Sequence, residues 1–426
     1  MKYAWKNGII LDGTETMVPQ PGKAILVDNG VITDIVSETA IPAGYERVNL
    51  EGKYILPGLI NLHVHLAGSG KPKKKPADPV KLVRLVTANA ATRSLGRKLV
   101  ADYAKTQLLS GVTTIRTVGG IADFDTTVRD DIRSGKRIGP RILASNRAIS
   151  VQGGHMAGSL AYEAATPEEA AAYVDRIAAD KPDIIKLMIT GGGLDAEKVG
   201  EPGVLRMPPA LVKAACDRAH ALGFTVAAHV ESPEGVKVAL ENGVDSIEHG
   251  AKPTEEIMAL FKKRQSFQVS TISPALPFAL FDREVSHATY EQQENGKIVF
   301  EGIIALAKEC LKQGIPVGLG TDTACPYVTQ YDMWRELCYY VKFCGVSPRF
   351  ALYSATLLNA TLAGIGAITG SIEPGKQAEM IVANENPLEN LQTLRSPAMV
   401  IMQQRIFRSP KVRKIPEVEA ELNKWL

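Results

Sequence analysis

Eight strand-like runs, most of them separated by helix-like stretches, limit the folds open to this chain. The runs are YILPGLINLHVH, GVTTIRTVG, RILASNRAIS, DIIKLMIT, FTVAAHV, DSIEHG, SFQVSTI and IPVGLGTD. Between most of them lie stretches such as TPEEAAAYVDRIAAD, PPALVKAACDRAHALG, SPEGVKVALENG and FEGIIALAKECLKQG. Glycine follows several of these, as a helix C-terminus favours. Eight strands alternating with helices over about 300 residues point to an α/β chain folded as a (β/α)8 TIM barrel. An open doubly wound sheet is the competing architecture, but no glycine-rich phosphate loop follows the first run.

The two ends read differently from the middle. Residues 1–54 break into short alternating segments, and Asn29-Gly30 between KAILVD and VITDIV is a strong hairpin signal. From residue 370 onward, GSIEPGKQAEMIVAN and AMVIMQQRIF are further strand candidates. We therefore expect a small β-sandwich domain assembled from 1–54 and 370–426, with the barrel spanning 55–369.

The unusual polar residues fall where such a barrel keeps its chemistry, at the C-terminal ends of strands. His63 and His65 end the first run in HVH, and a spacing of two on a strand points both to one side. Lys186 lies inside the apolar run DIIKLMI, His229 ends AAHV, His249 ends IEHG and Asp322 ends GLGTD. His155 follows the third run in QGGHMAG. A single strand-end histidine is ordinarily a hydrogen-bonded core residue. Imidazoles and a carboxylate converging from several strands instead suit zinc or a similar divalent ion. Lys186 is the odd member, because burying an unpaired ammonium is costly.

With these residues in view, the chain resembles the amidohydrolase superfamily over nearly its whole length. LPGLINLHVHL, IIKLMITGGG, VAAHVES, DSIEHG and VGLGTDT resemble its motifs in order, and NPLENL fits near the C-terminus. The branch it looks most like holds Xaa-Pro dipeptidase-like, carboxypeptidase-like and imidazolonepropionase-related members. That resemblance implies two divalent metal ions, zinc foremost. His63, His65 and Asp322 would hold one and His229 and His249 the other. Lys186, carboxylated by CO2, would bridge them as a carbamate. A neutral amine would thereby become an anionic two-oxygen ligand; otherwise the lysine snorkels to the barrel mouth or pairs with a carboxylate.

The implied reaction is hydrolysis of a C–N amide-type bond in a dipeptide, an N-acyl amino acid or a cyclic amide. A metal-bridging hydroxide would attack. Asp322 would accept its proton and pass it to the departing nitrogen, and His155 would hydrogen-bond the developing oxyanion unless its own loop satisfies it. Glu231 is a departure: several dipeptidase-like relatives carry a tyrosine two residues after the fifth-strand histidine. A glutamate facing the pocket would repel a carboxylate and favour an amine. It could equally precede the helix that Ser232 and Pro233 begin, in solvent. Arg116 and Arg206 are candidate clamps for a substrate carboxylate, and Cys325 is either a pocket-lining or a packed thiol. KPKKKP at 71–76 attracts anions or is a solvated charge run.

Other classes fit less well. A single-metal deaminase of the same superfamily generally lacks the lysine and carries a glutamate where this chain has Ser232. A non-catalytic scaffold would not need all six ligand positions filled. The net charge of +3 is too small to argue for nucleic acid. The N-terminal MKYAWKNGIILDGT has no apolar core of a signal peptide, and no stretch reaches the roughly 18 apolar residues of a membrane helix. Five scattered cysteines without a CxxC pair are read as reduced thiols. A cytoplasmic enzyme acting on a small amide or peptide is expected, with a homo-oligomer implied by the relatives and no nucleic-acid or membrane partner.

Overall fold

The run YILPGLINLHVH breaks in two at Gly58. In a computed structural model, which describes every residue except 74–77, 194, 196 and 197, Tyr54–Pro57 pairs antiparallel with Glu379–Ala383. Leu59–Val64 instead begins the barrel. Glycine is required at the break: a Cβ there would lie 2.1 Å from the Thr113 side chain.

The chain divides into two units, Met1–Leu62 with Ala104–Ile115 and Tyr331–Leu426, and His63–Tyr103 with Arg116–Gln330. Among the described residues, the first unit holds a four-stranded sheet ordered Val31–Ser37, Lys23–Asp28, Lys2–Lys6, Glu46–Asn49. It also holds a five-stranded sheet ordered Arg405–Arg408, Met399–Met402, Glu379–Ala383, Tyr54–Pro57, Ile9–Ile10. Trp5, Ile25 and Ile32 of the one sheet pack with Ile55, Met380 and Ile401 of the other in one buried cluster. The Asn29-Gly30 turn forms as its sequence requires, with both residues at positive φ.

The barrel strands follow the expected order. Leu59–Val64, Val112–Thr117 and Arg141–Leu143 form one sheet. Ala148–Ser150, Ile185–Met188, Val226–Val230, Ser246–His249, Phe267–Ser270 and Val317–Leu319 follow as parallel neighbours in a second, with the short strand Ala161–Glu163 added at its edge. The Asp322 N–H donates to His63 O at 2.8 Å, bringing the end of the eighth strand against the first. Gly320 permits this approach, since a Cβ there would stand 2.5 Å from His63 Cβ. The strands bearing Lys186, His229 and His249 are buried throughout, which is why they read as apolar runs. Helices are started by local chemistry: Thr166 and Ser232 accept hydrogen bonds from Glu169 N–H and Gly235 N–H, with proline in each first turn. No helix among the described residues is long and apolar enough to cross a membrane, and the five cysteines are free.

Candidate metal centre

Strand register decides which side chains meet. Lys186 stands opposite Ala227, and His229 opposite Glu248, so alternation turns Lys186, His229 and Glu248 to the barrel interior. His249 follows Glu248 directly and by alternation would face outward. A left-handed backbone at His249, φ 66°, redirects it, and Asp322 has the same conformation at φ 57°.

His63, His65, Lys186, His229, His249 and Asp322 consequently line one pocket of about 90 Å3. His63 and His65 Nε2 lie 3.4 and 3.2 Å from Asp322 Oδ1. Bonds of about 2.0–2.1 Å to zinc place tetrahedral donors about 3.3–3.4 Å apart, so each of these two pairs has the spacing of ligands on one ion. His63 and Asp322 also form, with His249, a group of donor atoms within 4.8 Å of one another. The His229 and His249 rings lie 4.7 Å apart, and His249 is 4.8 Å from His63. Lys186 Nζ is fully buried among them without a hydrogen-bond partner.

Each ring is held by its outer nitrogen. His63 Nδ1 donates to Glu248 Oε2 at 2.8 Å, His65 Nδ1 to Gly119 O at 2.7 Å, and His249 Nδ1 bonds Thr271 Oγ1 at 2.7 Å. His229 is reversed: Nε2 donates to Gly191 O at 3.3 Å, leaving Nδ1 for the centre. Such bonds select the tautomer and leave the inward nitrogen as a lone-pair donor. Burial, and then the neighbouring rings, push His229 and His249 well below the ordinary imidazole range. Burial would raise Asp322, but His63 and His65 hold it well below the usual carboxylate range. Burial lowers Lys186 to about 8 against the pull of Glu248 and Asp322, so far more of its amine is neutral at cellular pH than in an exposed lysine. Four imidazoles, a carboxylate and an orphaned amine form a donor set that fits divalent metal.

The sequence pattern of the Amidohydrolase family matches residues 54–405. The chain belongs to the amidohydrolase family. A prolidase candidate from Bifidobacterium longum has 35% identity and a TM-score of 0.87, over 99% of this chain and 98% of that one. A Xaa-Pro dipeptidase with methionine bound in its active site has 29% identity and a TM-score of 0.83, over 96% and 100%. Ochratoxinase of Aspergillus niger is 25% identical over 94% of this chain and 84% of the fungal enzyme. Imidazolonepropionase of Symbiobacterium thermophilum is 24% identical over 85% and 84%.

Of the remaining residues read from the sequence, this amidohydrolase brings some to the pocket and not others. Glu231 lines it, its carboxylate held by the Gly193 N–H. Burial, offset by that bond, raises it to about 8. With His229 and His249 it forms a second group of donor atoms within 4.8 Å of one another. His155 also lines the pocket, its ring stacked on His229 at 4.2 Å and 11°. Cys325 lines it too, with Sγ 3.5 Å from Asp322 Oδ2. Arg116 is engaged beneath the site, donating to Glu248 Oε1 at 2.7 Å and Ser246 Oγ at 3.3 Å, so it does not serve as a clamp there. Arg206 is exposed and outside the lining, because it lies beyond Gly191 where its charge acts on Asp195. In KPKKKP, 74–76 lie outside the described residues.

Two residues were missed. Glu248 supports His63, and its signal was the spacing of Ser246 and Glu248 on a strand beside His249. Asp195 Oδ2 accepts from His155 Nδ1 at 2.5 Å and from Gly192 N–H at 3.0 Å; a loop aspartate offered no periodic signal.

Proposed function

We propose that this chain is a binuclear metal-dependent amidohydrolase that cleaves a small C–N amide-type bond. The observation that carries the reading is Lys186 Nζ, buried and unpartnered among four imidazoles and Asp322. A carbamate formed there from CO2 would turn a costly buried amine into an anion bridging two cations. His63, His65 and Asp322 would hold one ion and His229 and His249 the other. Bound divalent metal would supply a water activated near neutral pH and a Lewis acid for the amide carbonyl.

The chain's own residues supply the rest. Asp322, ionised at neutral pH, takes a proton from the attacking water and returns it to the departing nitrogen, which leaves poorly as an anion. His155 is oriented by Asp195, and with both ring nitrogens protonated its Nε2–H would donate to the oxyanion of the tetrahedral intermediate. Glu231, fixed by Gly193 and raised to about 8 by burial, presents to the substrate a carboxyl that is largely protonated at neutral pH and can both donate and accept. Ser232, where a deaminase would need glutamate, is engaged as the helix cap.

The test is a screen of zinc-loaded protein against dipeptides, N-acyl amino acids and cyclic amides with the leaving group varied. Turnover with liberation of the amine half is expected. Ammonia released from a ring amidine, with one metal per chain, would replace this reading by deamination.

A further inference from the structure

We propose that one half of the substrate is a bulky hydrocarbon group, seated in an apolar cavity that opens beside the metal pocket. This rests on the amide-hydrolysis reading and deepens it. The metal pocket, at about 90 Å3, is small beside the volumes typical of ligand sites, so the bulk of a substrate must be seated beyond it. The neighbouring cavity has a volume of about 560 Å3, within the range of about 300–1,000 Å3 typical of ligand sites. The two share His65, Met156 and Cys325 in their walls, so they lie side by side, and a substrate extending past these three side chains would occupy both.

The cavity walls state the chemistry. Leu82, Val83, Leu99, Ile121 and Leu160 supply them, and the charged groups Lys71 and Lys73 also border it. Leu82 and Leu99 are 46% and 48% exposed. Hydrocarbon held at a cavity mouth gains free energy when a ligand covers it. The wall at His65, Gly68 and Gly70 is held by hydrogen bonds from outside it: Gln330 Nε2 donates to His65 O at 2.9 Å and Gly68 O at 2.8 Å, and Tyr327 N–H donates to Gly70 O at 2.8 Å. Binding there requires little ordering of the chain, so burial of the ligand appears in the measured specificity.

Two substrate series test this on the zinc-loaded chain: N-acyl glycines from acetyl to decanoyl, and acetamides of amines from methyl to decyl. In at least one series kcat/KM should climb about fourfold per methylene until the cavity is filled. Leu99→Trp, which puts a larger side chain in the cavity wall, should end the climb at a shorter chain length; Leu82→Trp repeats the test from the neighbouring helix. Leu95→Trp, on the same helix as Leu99 but 69% exposed and outside the walls, should leave it intact. Flat series with good turnover of short members would overturn the cavity proposal and leave amide hydrolysis standing. Turnover of no member would sink the hydrolase reading instead. Calorimetry with decanamide then decides the cavity separately: binding weakened tenfold or more by Leu99→Trp supports it, and binding absent or unchanged overturns it.

Discussion

Glu248 accepts a hydrogen bond from His63 Nδ1 at 2.8 Å through one oxygen and one from Arg116 at 2.7 Å through the other. Burial would raise its pKa, but Arg116 and His63 hold it well below the usual carboxylate range. It therefore remains an anion that fixes the tautomer of His63. Glu248→Gln preserves the shape and removes the charge. Metal affinity should fall about 10–100-fold, read by competition with a chelator. Arg116 keeps its bond to Ser246 but loses its buried counter-charge, which should lower stability by at most about 3–5 kcal/mol. Unchanged metal affinity would show that Glu248 serves packing alone.

Lys186→Ala should lose metal and most activity, because the fully buried amine would have no replacement between the two histidine groups. Added short carboxylates should restore part of both by supplying the missing oxygens. Metal analysis reading two ions per chain with full turnover in this variant would exclude a bridging role.

His155→Ala should lower kcat about 10²–10³-fold, the range for loss of one oxyanion donor, with metal content unchanged. Asp195→Asn should give a smaller loss of kcat, since Asp195 acts on His155 through one hydrogen bond. If metal content falls in step with kcat, His155 instead supports His229, on which it stacks.

Asp125 is buried, and burial raises its pKa to about 6. The unfolded chain releases that proton near pH 3.9. Between these values the folded state holds more protons, so this group's contribution to stability falls as pH rises from about 4 through 6. Asp125→Asn should therefore stabilise the metal-free protein at pH 8, by about 3 kcal/mol at most, and have little effect at pH 4. Thermal melts at the two pH values check the sign.

Gly320→Ala should destabilise the chain by about 1–3 kcal/mol or more, since its Cβ would meet His63 N and Cβ at 2.6 and 2.5 Å. A melting temperature equal to wild type would mean that the first and eighth strands separate without cost.

Local chemistry made much of the fold legible. The alternation of strands and helices, the Asn29-Gly30 hairpin and the caps at Thr166 and Ser232 depend on near neighbours in the chain, and they formed as expected. The same holds for His63 and His65, which a two-residue spacing turns to one side. Register and backbone twist decided the rest. His249 and Glu248 are consecutive, yet a left-handed residue brings both to the centre. Glu231 faces the pocket because Gly193, 38 positions away in sequence, captures its carboxylate. YILPGLINLHVH divides because Thr113 leaves no room for a side chain at Gly58. Such contacts join residues far apart in the chain, and no local pattern encodes which of them will meet.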